Sequence, residues 1–142
     1  MRRALRAFSL IELMIVVVIM AILAAIVLPR YVDHSRRGQE AGLKQQLSQL
    51  RNAVATYQAD TGFYPQALAD LASTTAPAHG IDSSGATQNI DPTTWHGPYI
   101  GSVPLDNIAG AAFAYSTSAP NVGTVSSTAQ GHDLAGVAFS VY

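Results

Sequence analysis

FSLIELMIVVVIMAILAAIVL, residues 8–28, is the stretch that decides the architecture of this chain. Only one of its 21 residues, Glu12, is charged. A helix of that length spans about 30 Å, which matches the thickness of a bilayer's hydrocarbon core. Because the apolar side chains leave no polar face, the segment predicts a membrane-spanning helix and not the surface helix of a soluble domain.

Glu12 is the unusual residue of this segment. An acidic side chain at the centre of a membrane helix costs about 2.5–3.5 kcal/mol, and less towards the helix end. One interpretation is that Glu12 lies shallow and reaches the lipid headgroups. The other is that it meets a cation delivered by a second chain. The residues alone leave both interpretations open.

A short basic leader, MRRALRA (residues 1–7), precedes this segment. With its leader, FSLIELMIVVVIMAILAAIVLPRY resembles the class III signal of type IV pilins and type II secretion pseudopilins. In that family a prepilin peptidase cuts before an aromatic residue and methylates the new amine. The resemblance therefore implies cleavage between Ala7 and Phe8 and N-methylation of Phe8. Ala7 stands where the family usually has glycine, and a small residue should still fit the peptidase.

The resemblance also implies roles for Glu12 and Pro29. Counted from Phe8, Glu12 is the fifth residue, where the family carries its glutamate. Its implied partner is the cationic amine of Phe8 on an adjacent subunit, so the pair would set the register of a filament. Pro29 matches the family's proline after the apolar run. Since proline lacks an amide hydrogen and clashes with the preceding turn, we expect it to kink or locally open the helix.

The charges are distributed unevenly along the chain. All eight Lys and Arg lie at or before Arg51, and residues 52–142 contain six Asp and no cation. Without a basic patch, nucleic-acid binding by the head domain is not expected. Basic residues flank both ends of the apolar segment, so charge alone does not orient it. The resemblance places the leader in the cytoplasm, and hence a single-pass protein in the inner membrane with its head periplasmic, or extracellular after assembly.

The helix is expected to continue beyond the membrane. Five apolar residues at a 4-3-4-3 spacing form a stripe: Leu43, Leu47, Leu50, Val54 and Tyr57. A short coiled coil would give the same spacing, but two heptads favour packing on the chain's own domain. Gly62 suits a left-handed helix cap. The sequence thus predicts one helix from about Phe8 to Asp60, with residues 8–28 in the membrane or filament core and residues 29–60 amphipathic.

Residues 61–142 are predicted to form a small head domain. Three short alternating or β-rich runs, Tyr99–Val103, Ala111–Thr117 and Leu134–Tyr142, predict one antiparallel sheet of three or four strands. The Ser/Thr-rich tracts 72–94 and 116–130 are expected to be surface loops. The predicted fold class is therefore α+β: a long N-terminal helix packed on a small antiparallel β-sheet, as in pilins.

Two further segments resemble the major pseudopilin of type II secretion: GFYPQALADL, residues 62–71, and WHGPYI, residues 95–100. That family usually has an acidic, Gly-rich calcium-binding loop before its last strand. Here residues 119–133 contain a single acidic residue, Asp133. We therefore expect no calcium site of that kind.

Catalysis finds no support in the sequence. Cysteine is absent, and the four histidines (His34, His79, His96 and His132) form no metal-binding pair at helical spacing. Gly-x-Ser-x-Gly and phosphate-binding glycine motifs are also missing. We expect no enzyme activity, no metal and no cofactor.

The function expected from the resemblance is that of a structural subunit in a helical filament. Its implied partners are further copies of the chain, the prepilin peptidase, an inner-membrane assembly platform and minor pilins. The GFYP and WHGPY segments favour a type II secretion pseudopilus for protein export. An extracellular type IV pilus, for adhesion, motility or DNA uptake, is the alternative. A monomeric, membrane-anchored binding domain is a more remote one, since it leaves Glu12 unexplained.

Overall fold

The computed structural model of the protein describes the backbone of residues 9–142 and the side chains of residues 9–27 and 34–142. The chain divides into two compact units, with the boundary between Arg37 and Gly38. A single α-helix, α1, covers Leu10–Thr61. Two short 3-10 helices follow in the second unit, at Leu68–Ala72 and Phe139–Val141. The predicted leader, residues 1–7, and Phe8 lie outside the described residues.

Helix α1 ends where the sequence predicts. Gly62 adopts a left-handed conformation with φ of 79°, and its amide donates to the Gln58 carbonyl at 2.8 Å. The Thr61 hydroxyl donates to the Tyr57 carbonyl at 2.8 Å. These bonds satisfy carbonyls that the last turn would otherwise leave without a donor. The helix also runs through Pro29 without interruption, so a kink at that residue stays a prediction.

The predicted apolar stripe of α1 forms the core of the second unit. Its five side chains (Leu43, Leu47, Leu50, Val54 and Tyr57) are all at most 4% exposed. They pack in one cluster with residues from the rest of that unit, among them Leu71, Ile90, Phe113, Val125 and Phe139. The head domain therefore covers this side of the helix. Packing on its own domain is confirmed, and the coiled-coil alternative is wrong.

The strands are shorter and differently arranged than predicted. Strand β1, His79–Ile81, pairs antiparallel with β2, Thr87–Asn89. Strand β3, Ala114–Tyr115, pairs antiparallel with β4, Val125–Ser126. These are two separate two-stranded ribbons, so the α+β class is confirmed but the single sheet of three or four strands is wrong. The first ribbon lies within residues 72–94, where the sequence predicts a surface loop, so that prediction is wrong for this part.

Two of the three predicted strands are not strands. At Tyr99–Val103, the amides of Tyr99 and Ile100 both donate to the carbonyl of Leu71, which fixes a bend and not a ladder. At Leu134–Tyr142, the carboxylate of Asp133 accepts hydrogen bonds from the amides of Ala135 and Val137 at 2.8 Å. A side chain that captures backbone donors in this way competes with strand pairing. Alternating hydrophobicity was therefore a misleading signal in both runs.

Asp133 also ties the C-terminal loop to α1. Its second carboxylate oxygen accepts the Tyr142 hydroxyl and lies 3.7 Å from the Lys44 ammonium nitrogen. The same nitrogen stands 4.6 Å from the centre of the Tyr142 ring, within cation–π range. Nearby, the Glu40 carboxylate accepts the Leu134 amide at 2.9 Å. One acidic residue of the loop thus has a lysine of the helix as its counter-ion.

A second buried carboxylate, Asp106, organises the loop on the other side of β3. It is fully buried, accepts the amides of Ile108 and Ala109 at 2.8 and 2.9 Å, and accepts the Ser127 hydroxyl. Burial alone would raise the pKa of Asp106, but these hydrogen bonds outweigh it and the pKa is lowered. The carboxylate is therefore charged and satisfied inside the domain.

These carboxylates make the stability of the head domain depend on pH. The pKa of Asp133 is lowered by hydrogen bonds from Tyr142 and the Val137 amide, and that of Asp106 is also lowered. Their stabilisation is complete above the unfolded-state pKa of about 3.9 and is lost as pH falls through the lower folded-state values. We expect the thermal midpoint of the full chain in detergent, followed by near-ultraviolet circular dichroism, to hold down to about pH 4 and then fall.

The Asp133→Asn variant separates the contribution of this residue. We expect it to melt earlier than the parent at pH 7 and to lose less stability on acidification, because the titrating charge is gone. Equal sensitivity of parent and variant between pH 7 and pH 3 would contradict the assignment.

Candidate assembly site

Within the first unit, the described residues 10–27 form a helix with an exposed apolar surface. The window Leu10–Val27 has the length and composition of a membrane span, and none of its residues is buried. A core helix of a soluble domain can be equally long and apolar, but it is mostly buried. Large side chains from Leu10 to Val27 are instead 43–76% exposed. These side chains require lipid or neighbouring chains to leave water.

Glu12 lies in the first turn of this helix, at an exposed position. Its amide donates to the Ser9 carbonyl at 3.1 Å. Among the described residues no hydrogen bond or ion pair reaches its carboxylate. The positive end of the helix dipole favours an acidic residue here, typically by about 0.3–1 kcal/mol. That is less than the cost of a carboxylate in hydrocarbon, so the dipole alone does not explain Glu12.

One side of the helix start is purely apolar. Five side chains, Leu10, Leu13, Met14, Val17 and Val18, line a shallow groove of about 300 Å³. At about 100° per residue, Glu12 points roughly 160° away from the middle of this groove. The carboxylate and the apolar groove therefore face different neighbours. A helix with such unlike sides has a defined rotational orientation among similar helices.

The other predicted site residues are only partly within the described region. Ala7 and Phe8, the predicted cleavage and methylation positions, lie outside it, as does the side chain of Pro29. The predicted contact between Glu12 and the Phe8 amine joins two copies of the chain, so it stays a prediction. Of the predicted site residues, Glu12 is the one whose side chain the structure describes.

A polar cluster at the end of α1 was not predicted from the sequence. Asp60 accepts the Tyr99 hydroxyl at 2.9 Å and lies 3.5 Å from Nδ1 of His96. The Tyr99 ring packs edge-on against Tyr57 and Trp95. Burial and the bond to Asp60 raise the pKa of Tyr99. The WHGPY segment could have signalled this cluster, since it concentrates aromatic rings beside a histidine.

A metal centre finds no support in the part of the chain that the structure describes. No group of three or more His, Asp or Glu side chains converges there in a way that could hold an ion. Asp133, the acidic residue of the C-terminal loop, is engaged with Tyr142 and Lys44. The donor set does not fit the calcium loop of the resembling family.

Two family models match this chain, one after the other. Residues 2–28 match the prokaryotic N-terminal methylation motif. Residues 30–136 match protein G of the type II secretion system. The first match covers the apolar segment with Glu12, and the second covers most of α1 beyond it together with the head domain.

Individual relatives come from two kinds of protein. The type II secretion system core protein G of Klebsiella michiganensis is 29% identical over 104 residues, covering 69% of this chain and 73% of that protein. The fimbrial protein EcpC of Eikenella corrodens is 42% identical over 71 residues, or 49% of this chain and 46% of its own length. The type IV major fimbrial protein FimA of Dichelobacter nodosus is 45% identical over 51 residues, covering 36% and 33%.

The chain thus spans less than half the length of these two fimbrial relatives and nearly three quarters of the secretion protein. No solved structure matches it significantly. The exposed apolar helix, its single carboxylate and the helix-packed head agree with the two family matches. On this evidence, the chain belongs to the protein G family of the type II secretion system, a family of pilin-like pseudopilins.

Proposed function

We propose that the protein is the pseudopilin subunit of a type II secretion filament, made as a single-pass protein of the inner membrane. The observation that carries the proposal is the apolar surface Leu10–Val27, which has no buried residue and one carboxylate. Lipid covers this surface before assembly. In the filament, the same segment of neighbouring copies replaces the lipid, and close packing of side chains drives the association.

Glu12 sets the register between neighbours. Its carboxylate meets the amine that cleavage after Ala7 creates on Phe8 of the next copy. Each charge is costly in an apolar environment, but the pair offsets both costs in one contact. The exposed position of Glu12, with no partner among the described residues, supports this role. The prepilin peptidase, an inner-membrane platform and minor pilins are the partners that this assembly requires.

Charge removal at Glu12 tests the pairing. We expect Glu12→Gln and Glu12→Ala to insert into the membrane and to be processed normally but to form few or no fibres, because the amine of the neighbour then lacks its counter-ion. Fibres that contain this protein, identified by immunolabelling in cells that overproduce it and counted by electron microscopy, give the measurement. Glu12→Asp, which keeps the carboxylate, serves as the control and should form more fibres than either charge-removing variant. Normal fibre numbers from both Glu12 variants would refute the pairing.

Processing at Ala7 is tested by mass spectrometry of the intact protein. We expect Ala7→Gly to yield a mature chain that begins at Phe8 and carries one added methyl group. A bulky charged residue, as in Ala7→Glu, should block the peptidase pocket and leave residues 1–7 attached. Mature protein of unchanged mass from Ala7→Glu would contradict this cleavage site.

An extracellular type IV pilus is the second candidate function. The higher identity to two fimbrial proteins, 42% and 45%, favours it, although over shorter stretches. The match of residues 30–136 to protein G favours the secretion filament.

A strain that lacks the protein distinguishes the two candidates. If it works in secretion, exported proteins should accumulate in the periplasm of this strain while surface pili persist, and the intact gene should restore export. Loss of pili with normal export would assign the subunit to the pilus.

A further inference from the structure

The head half of α1 has two unlike flanks on either side of its buried stripe. We name the first the groove flank, which includes Gln49 and Thr56. The second is the cationic flank, which includes Lys44, Ser48 and Arg51. At about 100° per residue, the two flanks lie on opposite sides of the Leu43–Tyr57 stripe. Each flank borders a different loop of the head domain.

The groove flank contains an open groove of about 670 Å³. Helix residues Gln49, Ala53 and Thr56 form one wall, and the segment from Tyr99 to Pro104 contributes the other. Tyr99 donates its hydroxyl to Asp60, which places a carboxylate beside the groove. No Lys or Arg lines it. This flank is therefore concave and carries negative charge.

The cationic flank has the opposite character. Residues 38–142 contain two Lys or Arg, Lys44 and Arg51, and both line the groove on this side. The Lys44 side chain is 51% exposed. The adjoining C-terminal loop exposes three apolar side chains, Leu134, Val137 and Val141, and Val141 is 75% exposed. Lys44 lies 3.7 Å from Asp133 and has Glu40 nearby, so its charge is offset within the chain. Arg51 donates to the Val125 carbonyl and has no acidic partner among the described residues, so this flank offers the Arg51 cation beside a projecting apolar loop.

We infer that the cationic flank of one copy packs against the groove flank of the next copy in the filament. The exposed valines of the C-terminal loop enter the groove beside Tyr99, and Arg51 faces Asp60 of the neighbour. This inference rests on the proposed function, since it requires the chain to polymerise. The opposite charges of Arg51 and Asp60 orient the contact.

The geometry of such a contact suits an open polymer. Because the two flanks differ, a two-fold axis cannot relate the copies that join through them. Head-to-tail contacts of this kind repeat without closing unless the rotation happens to complete a ring. For parallel helices, Asp60 of one copy lies level with Arg51 of its neighbour at an axial stagger of about 14 Å, because nine residues separate these positions.

Paired cysteines test this contact. No native cysteine can form a competing disulfide, because the chain has none. Ser48→Cys lies on the cationic flank and Thr56→Cys on the groove flank, both at exposed positions. Eight residues separate them, which is about 12 Å of helix and close to the expected stagger. After mild oxidation of fibres, we expect the double variant to form ladders of linked subunits on non-reducing gels. Each single variant should remain monomeric.

The matched control is the pair Ser48→Cys and Ala55→Cys. Ala55 is also exposed and lies one position from Thr56, but on the cationic flank. Two cysteines on one flank should give at least tenfold less ladder than the Ser48 and Thr56 pair. A Val141→Asp change in the linking background should lower the ladder yield severalfold, since it places a carboxylate in the groove. Val141 is largely exposed, so folding should be unaffected.

The outcomes separate this contact from the proposed function. Fibres of normal appearance that give equal ladders with the two cysteine pairs, or ladders with a single cysteine, would overturn the flank contact and leave the filament function intact. Absence of fibres from the cysteine-free parent would overturn the filament function and this contact together.

Discussion

The structure of this protein depends on an apolar helix surface that no other described part of its chain covers. From Leu10 to Val27 no residue is buried, whereas from Leu43 onwards the same helix provides the core of a domain. The same helix is therefore exposed on all sides along its first part and buried on one side along its second part. The first unit needs lipid or other copies of the chain, and the second unit needs only itself. Lipid around the single chain and neighbouring copies in a polymer are thus two ways of covering the apolar surface Leu10–Val27.

The parts of the fold that were predictable are those set by local periodicity and turn chemistry. The stripe Leu43–Tyr57 follows the helix period and is buried, and Gly62 adopts the left-handed conformation that its position after the helix requires. Such features depend on residues close together in sequence. The position of Glu12 in the first helical turn belongs to the same category.

The strands were less predictable because hydrogen bonds between side chains and backbone, and not an alternation of apolar and polar residues, organise the head domain. Strands of two or three residues carry almost no periodic signal. Their connections are fixed by aspartates that accept backbone amides, as Asp106 and Asp133 do, and by long-range bonds such as that from Arg51 to the Val125 carbonyl. Propensity does not reveal such partners. The unlike flanks of α1 were hidden for the same reason, since Tyr99 and Asp60 are 39 residues apart.

Lys44 connects helix α1 to the C-terminal loop. It belongs to the helix, yet it acts on the last residues of the chain by neutralising Asp133 and packing over Tyr142. The cation is part of α1 itself, so this ion pair holds the C-terminal loop on the helix at neutral pH. Loop, helix and the exposed Val141 therefore form one surface, which can meet a neighbour without first being ordered.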